Sequence, residues 1–318
     1  MNRRRGFTLT EASVVFMIVA VLLALLLTAI QYARESARRL NCQNNMRTIS
    51  LGVINHESQR SQLPSLYNGT FLPKPRTVMD EFHFHSWRTA ILPQIEQNSL
   101  YVSIKDSLPA TDVSNQPFIN VQLPVFKCPS TPNSNRLVSD ISAFSGGSVV
   151  GTAARSDYEA IGGVNIGLAS GTTSLQNIEF GVWGEPDSYL RISTNYRKPR
   201  LKDVIDGLSQ TILTAERAGR PDLYARGKIV NPYPFTNTPG FGMDHHQASW
   251  AISTHFWWLV QMAQSGINSR NLDIFSFHPG GANVAFADGS VRFLSESMHP
   301  AAVNALITRN GNETATQE

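Results

Sequence analysis

RRRGFTLTEASVVFMIVAVLLALLL, residues 3–27, is the stretch on which the reading of the whole chain turns. From Ala12 to Ala33 there are 22 residues without a charge, and Val14 to Leu27 is almost wholly aliphatic. As a helix this uncharged stretch spans roughly 33 Å, close to the ~30 Å hydrocarbon core of a bilayer. A helix inside a soluble domain seldom stays apolar around its whole circumference for so long, so the segment reads as a membrane span. Three details separate it from an ordinary secretory signal. Arg3, Arg4 and Arg5, followed by Gly6 and Phe7, stand ahead of the apolar run. Its far end, Thr28-Ala29-Ile30-Gln31, has no small-x-small cleavage pattern. Glu11 sits just inside it. A carboxylate in lipid costs about 2.5–3.5 kcal/mol at mid-depth and less near the edge, so Glu11 is expected to have a partner.

The order Gly6-Phe7-Thr8-Leu9-Thr10-Glu11 before an apolar run resembles the prepilin-type cleavage and methylation motif of type IV pilins and type II secretion pseudopilins. The resemblance implies cleavage by prepilin peptidase between Gly6 and Phe7 and N-methylation of Phe7. It also implies an assembly role for Glu11, paired with the terminal ammonium of a neighbouring Phe7 so that neither charge stands alone in an apolar setting. Thr28 falls at the twenty-second position of the processed chain, where many relatives carry a helix-kinking proline, so a kink is not expected. The basic residues flanking the span, Arg3, Arg4 and Arg5 against Arg34, Arg38 and Arg39, are balanced and leave orientation to the resemblance.

The formal charge of +3 comes from the leader. Without residues 1–6 there remain 24 Lys+Arg (27 less three arginines) against 24 Asp+Glu. A neutral body with no basic stripe excludes nucleic acid as a partner class. The two cysteines, Cys42 and Cys128, enclose a separation of 86 residues (128 − 42). Outside the cytoplasm they are expected to form a disulfide worth about 4–5 kcal/mol in the chain-entropy picture, stapling helix to domain. Two buried free thiols are the alternative.

Beyond Gln31 the pattern turns amphipathic: Cys42, Met46, Ile49 and Val53 recur at steps of four, three and four, with no proline before about Glu57. This predicts a continuous helix whose second half docks on a domain. From about Arg60 onward Pro and Gly punctuate the chain. HSWRTAILPQIEQNSLY (85–101) reads as a short helix interrupted by Pro93, and LPVFKCPS (123–130) as a strand ending in a turn. The Ser-, Gly- and Ala-rich stretch 139–174 reads as bend-rich strands and loops. RLKDVIDGLSQTILTAE (200–216) reads as a loop, an Asp206-Gly207 turn and a short strand. SFHPGGANVAFADGSVRFLSES (276–297) predicts a β-hairpin near 282–294, with Asp288-Gly289 supplying positive-φ residues at its turn. Together with CQNNMRTISLGVINH (42–56), SWR, F-x-CP, DG-S-TI…E and HPGGAN…FADGSVRF, this order of motifs is similar to that of the DUF1559 family of pilin-like proteins.

Candidate chemistry is thin. His278 and Asp288 invite a catalytic or metal reading, but a turn and a hairpin account for both, and no third ligand stands at fixed spacing. His83, His85, His245, His246 and His255 are imidazoles near aromatics, more simply structural than zinc ligands. Trp250, Phe256, Trp257 and Trp258 read as core. Ser145–Ser148 (SGGS) lacks a nucleophile elbow.

The expected fold is α+β: a leader (1–6), a transmembrane helix (7–33), its amphipathic continuation (34–60) and a mainly antiparallel, pilin-like β-rich domain (61–318). No enzyme activity, metal or cofactor is expected. The expected partners are prepilin peptidase, other pilin-like subunits, an assembly platform and the membrane, crossed once. The expected place is the inner membrane with the domain outside the cytoplasm, or a surface filament. The alternative function is a tethered binding module for glycans or secreted substrates that never polymerises.

Overall fold

The computed structural model describes residues 8–66, 85–139, 151–165, 178–184, 199–231, 248–252, 260–262 and 264–311. Helix α1 runs unbroken from Leu9 to Arg60, 52 residues, about 78 Å at the α-helical rise. Thr8 starts it. The Thr8 hydroxyl accepts the Glu11 N–H at 3.3 Å, while the Glu11 carboxylate accepts the Thr8 N–H at 2.9 Å, a reciprocal capping box. Ser61 ends it in a left-handed conformation, φ 55°, with its N–H on the Glu57 carbonyl at 2.6 Å. No kink is needed at Thr28, whose hydroxyl donates to the Leu25 carbonyl at 2.9 Å.

The two halves of α1 face different surroundings. The large apolar side chains from Leu9 to Ile30 are exposed, between 44% for Val19 and 88% for Leu9. Farther on, the predicted stripe of Cys42, Met46, Ile49 and Val53 is fully buried. Gly52 lets the helix lie close against the 3-10 turn Leu92–Ile95: a Cβ there would stand 2.8 Å from Ile95 Cγ2.

Among the described residues four short helices accompany α1: α2 Trp87–Ala90, α3 Asn98–Ser103, α4 Gln116–Ile119 and α5 Pro300–Ala305. The strands are β1 Leu137–Ser139, β2 Thr152–Ala154, β3 Tyr158–Ala160, β4 Gly163–Asn165, β5 Ile178–Phe180, β6 Ile212–Glu216, β7 Leu223–Ala225, β8 Lys228–Asn231, β9 Val260–Met262, β10 Gly281–Phe286 and β11 Val291–Ser295. The central sheet has the order β11-β10-β6-β3 and is antiparallel throughout, with a bulge between Ala285 and Phe286. A second sheet, β5-β4-β9, carries a parallel pair, β4 with β9. Pairs β1-β2 and β7-β8 are antiparallel. The architecture is α+β, a long helix on mainly antiparallel sheets.

β10 alternates cleanly. Ala282, Val284 and Phe286 enter a core with Ile274, Val303 and Ile307, while Ala285 joins the core under α1. The predicted hairpin is present, but only Gly289 has positive φ, 84°. The Gly289 N–H bonds to the Phe286 carbonyl and the Phe286 N–H to the Ser290 carbonyl, a three-residue loop in which Asp288 need not leave ordinary backbone space. A second correction concerns residues 123–130. Pro124 cannot donate to a ladder, and the segment winds into a 3-10 turn, Pro124–Phe126, in place of a strand.

The SWR segment anchors α2 to the central sheet. The Ser86 hydroxyl caps the helix by accepting the Arg88 N–H at 3.2 Å. Buried Arg88 meets Glu159 of β3 at 2.6 Å, Arg220 meets the other carboxylate oxygen at 3.2 Å, and Trp87 Nε1 donates to Glu159 at 3.2 Å. Burial raises the Glu159 pKa, but the two guanidiniums overcome it and hold the carboxyl below its ordinary range. Removing this carboxylate leaves two buried cations facing each other. Glu159→Ala is therefore expected to cost about 3–5 kcal/mol in denaturant unfolding; a cost below about 1 kcal/mol would show that the triad is not desolvated.

Candidate functional site

The motif segments converge where α1 crosses the central sheet. In the β10–β6 register Val284 pairs with Ala215, which places Asn283 and Glu216 side by side on the face toward α1; Tyr158 of β3 pairs with Glu216 on the same face. From the helix, Gln43 Nε2 donates to Asn283 Oδ1 at 3.1 Å, and Asn45 Nδ2 donates to the Lys127 carbonyl at 3.0 Å and to Tyr158 Oη at 3.4 Å. Arg39 lies over the Phe293 ring, 3.5 Å from its centre. The interface is apolar around Met46 and Ile49 and polar along this seam.

At the membrane-proximal end of the seam stands His278, 2% exposed. Its Nδ1 is 2.7 Å from Glu35 Oε1 on α1, and its Nε2 is 3.4 Å from both Glu216 Oε1 and Cys128 Sγ. The Ser276 hydroxyl accepts the His278 N–H at 3.1 Å, which fixes the turn before Pro279. Glu216 is fully buried; its Oε2 accepts the Asn283 N–H at 2.7 Å and its Oε1 the Asn283 side-chain amide at 3.1 Å. Glu35 also holds Arg38 at 2.6 Å and accepts the Ser130 hydroxyl at 3.3 Å.

Two carboxylates flanking one imidazole favour its charged form. Burial lowers the His278 pKa, but the hydrogen bonds and charges of Glu216 and Glu35 outweigh it and raise the value above that of an ordinary histidine. For Glu35, burial raises the pKa, and His278 and Arg38 reverse the shift to leave it lowered.

Cys42 and Cys128 form the expected disulfide, Cα to Cα 5.2 Å, tying α1 to the turn after residue 126. Glu11 is exposed at the helix start and finds its partner within its own chain, in Thr8. Gly6 and Phe7 lie outside the described residues, as do His83, His245, His246, His255, Phe256, Trp257, Trp258 and Ser145–Ser148. His85 contacts the Leu108 carbonyl through Nε2 at 2.8 Å. Trp250 is core, stacked on Phe126 with ring centres 6.0 Å apart and Nε1 donating to the Val121 carbonyl. Asp288 does not join His278. It is exposed and accepts the Ser290 N–H at 2.8 Å within the hairpin turn.

The residues missed in the sequence are Glu35, Glu216, Gln43 and Asn283. One sign was present: Glu216 closes the apolar strand ILTAE, an acidic end on a segment that otherwise reads as buried. Among the described residues, Cys42, Cys128, Glu216 and His278 bring their ligand-type atoms within 4.8 Å of one another. They come from four distant segments, so no spacing along the chain could reveal the set.

Residues 31–301 match the family described as "Protein of unknown function (DUF1559)". Residues 1–27 match the prokaryotic N-terminal methylation motif. Both agree with the resemblances drawn from the sequence. No curated protein and no solved structure matches the chain.

The raised His278 pKa makes the seam pH-sensitive, with a definite sign. Its contribution is fully present below the ordinary histidine value of 6.5 and is lost as pH rises through the folded value above it. The lowered Glu35 value contributes above 4.5 and fades as pH falls through the folded value below it. In the disulfide-bonded full chain in detergent, the melting temperature should fall as pH rises above 6.5 and through the raised folded value of His278, and His278→Gln should flatten that decline. An unchanged slope in the variant would remove His278 from the account.

Proposed function

We propose, from the premise that this chain belongs to the DUF1559 family and is a prepilin-like, membrane-anchored protein, that it is a structural pilin-like subunit of a type II secretion or type IV pilus-like assembly. The motif implies processing by prepilin peptidase. In this reading the cut falls between Gly6 and Phe7, and the protein sits in the inner membrane with its domain outside the cytoplasm. It then joins other pilin-like subunits on an assembly platform, and it is not an enzyme.

The observation that carries the reading is the division of α1. Its first half exposes every large apolar side chain, and its second half is locked into the domain by the disulfide and the polar seam. A soluble protein has no use for such an apolar rod, whereas lipid or the helices of neighbouring subunits would cover it. The disulfide favours a compartment outside the reducing cytoplasm. The burial of His278 behind α1, salt-bridged on one side and against sulfur and carboxylate on the other, favours a fastening role over turnover.

The test uses protein from native membranes. Intact mass and N-terminal analysis should give a chain starting at N-methylated Phe7; an intact Met1 start, or a cut after Ala29, would end this interpretation. Assembly is examined through Glu11, whose two roles can be separated. Glu11→Gln keeps the capping box, because glutamine also serves at that position, but removes the charge. We expect it to be processed normally yet to lose sedimentable or cross-linkable oligomers. Oligomers at the wild-type level would show that no charge pair with a neighbouring Phe7 amine is used, and a processed wild-type chain that remains monomeric would favour the tethered binding module.

A further inference from the structure

We propose that, when Cys42 and Cys128 are reduced, their two sulfurs, His278 Nε2 and the Glu216 carboxylate form a tetrahedral zinc site, and that closing the disulfide expels the metal. The four groups are buried, at 0%, 0%, 2% and 0% exposure, and their ligand-type atoms all fall within 4.8 Å of one another. Around tetrahedral zinc, with Zn–S near 2.3 Å and Zn–N or Zn–O near 2.0–2.2 Å, a sulfur and a nitrogen stand about 3.5 Å apart, and a nitrogen and an oxygen about 3.4 Å apart. The separations present are 3.4 Å from Cys128 Sγ to His278 Nε2 and 3.4 Å from His278 Nε2 to Glu216 Oε1. The second is long for a direct N–H···O hydrogen bond but matches an edge of that tetrahedron.

The surroundings are those a zinc-bound histidine needs. Glu35 sits 2.7 Å from Nδ1 and holds the ring by its Nδ1–H, so that Nε2, once its proton is displaced by the metal, presents its lone pair toward the cysteine sulfurs and Glu216. Glu216 is itself oriented by the backbone and side-chain amides of Asn283. Softness agrees with the choice of metal: two thiolates and an imidazole favour zinc over calcium or magnesium. Entry is by a groove between α1 and the turn, lined by Tyr32, Glu35, Arg39, Gln43, His278 and Pro279.

The chemistry balances without a change in the metal. On uptake the two thiols and the His278 Nε2–H release three protons, the imidazole keeping its Nδ1–H toward Glu35, and the sulfurs move to about 3.7 Å apart across the ion; when the metal leaves, Nε2 takes a proton back from water. On release a disulfide-bearing oxidant takes two electrons from the pair of thiolates. One S–S bond forms in this chain and one breaks in the oxidant, whose two sulfurs take up two protons, and zinc leaves as Zn²⁺. Metal and disulfide are thus alternative fastenings of α1 to the domain, the metal preceding oxidation.

The experiment takes the full chain in detergent, either disulfide-bonded or reduced with a phosphine. Both forms are stripped with a chelator, incubated with zinc chloride and desalted, and zinc per chain is measured beside a thiol titration. The reduced chain is expected to retain close to one zinc and the oxidised chain less than about a tenth of that. Cobalt chloride in the same site should show thiolate charge-transfer absorption and the strong visible bands of tetrahedral Co²⁺. His278→Ala should release the metal, and Glu35→Gln, which leaves all four ligands in place, should weaken affinity about 10–100-fold. A reduced chain with two free thiols and no retained zinc would overturn the proposal. So would equal zinc in the oxidised chain, or binding unaffected by both substitutions.

Discussion

A carboxylate placed where water cannot reach it governs this interface. Glu216 is fully buried on the sheet face that receives α1, and an unsatisfied carboxylate there costs several kcal/mol. Its neighbours follow from that demand. Asn283 supplies two donors from the adjacent strand, His278 in the turn preceding that strand stands 3.4 Å away, and Glu35 reaches the other side of the same imidazole from the helix. Each partner lies on a different element, so satisfying one side chain fixes strand register, turn conformation and the rotation of α1 together. Apolar packing at Met46, Ile49 and Val53 supplies attraction, but a smooth apolar face would tolerate sliding by a turn. The polar seam does not, because a slip of about 5.4 Å would strand Glu35, Gln43 and Asn45 from their acceptors and donors.

One helix therefore answers to two environments. Its first half is almost wholly aliphatic from Val14 to Leu27 and packs on none of the described residues of the domain; its second half is specified residue by residue. Gly52 marks how closely the second half lies on the domain, since even a methyl group would press on Ile95. The helical hydrogen-bond pattern is unbroken between the two halves, Thr28 included, and caps at Thr8 and Ser61 close both ends.

How much of this was legible depends on the distance over which each signal acts. The extent of the helix, its burial stripe, the C-terminal hairpin and the cysteine pair are local patterns or simple pairings, and all appear as expected. Pro124 misled because a short apolar run with aromatic and β-branched residues looks like a strand until its missing donor is counted. The seam was hidden for another reason. Glu35 and His278 are 243 residues apart and Asn283 and Glu216 are 67 apart, so their meeting is a consequence of topology. His278 reads in the sequence as a turn residue; it is in a turn, and the turn is what delivers it to Glu35.

The position of the fastening along α1 has a mechanical consequence. The uncharged stretch ends at Ala33, and Glu35 follows after about 3 Å of helix, with Cys42 about 14 Å beyond Ala33. The His278–Glu35 contact thus lies just past the end of the apolar stretch, and the disulfide lies about two turns farther along the helix. A domain held at both heights cannot swing about the exit point of the helix, because a rotation that preserved the covalent bond would still have to separate His278 from Glu35 near the membrane. Breaking the ionic contact alone loosens the turn of α1 nearest the apolar stretch, while the disulfide and the packing of Met46, Ile49 and Val53 still hold the domain. Losing the disulfide alone leaves the membrane-proximal contact in place. The first turn of α1 beyond the apolar stretch is thus fixed by the ionic contact, which accounts for a buried imidazole between two carboxylates at this point, where a plain apolar contact would have cost less to bury but would not fix the helix in register.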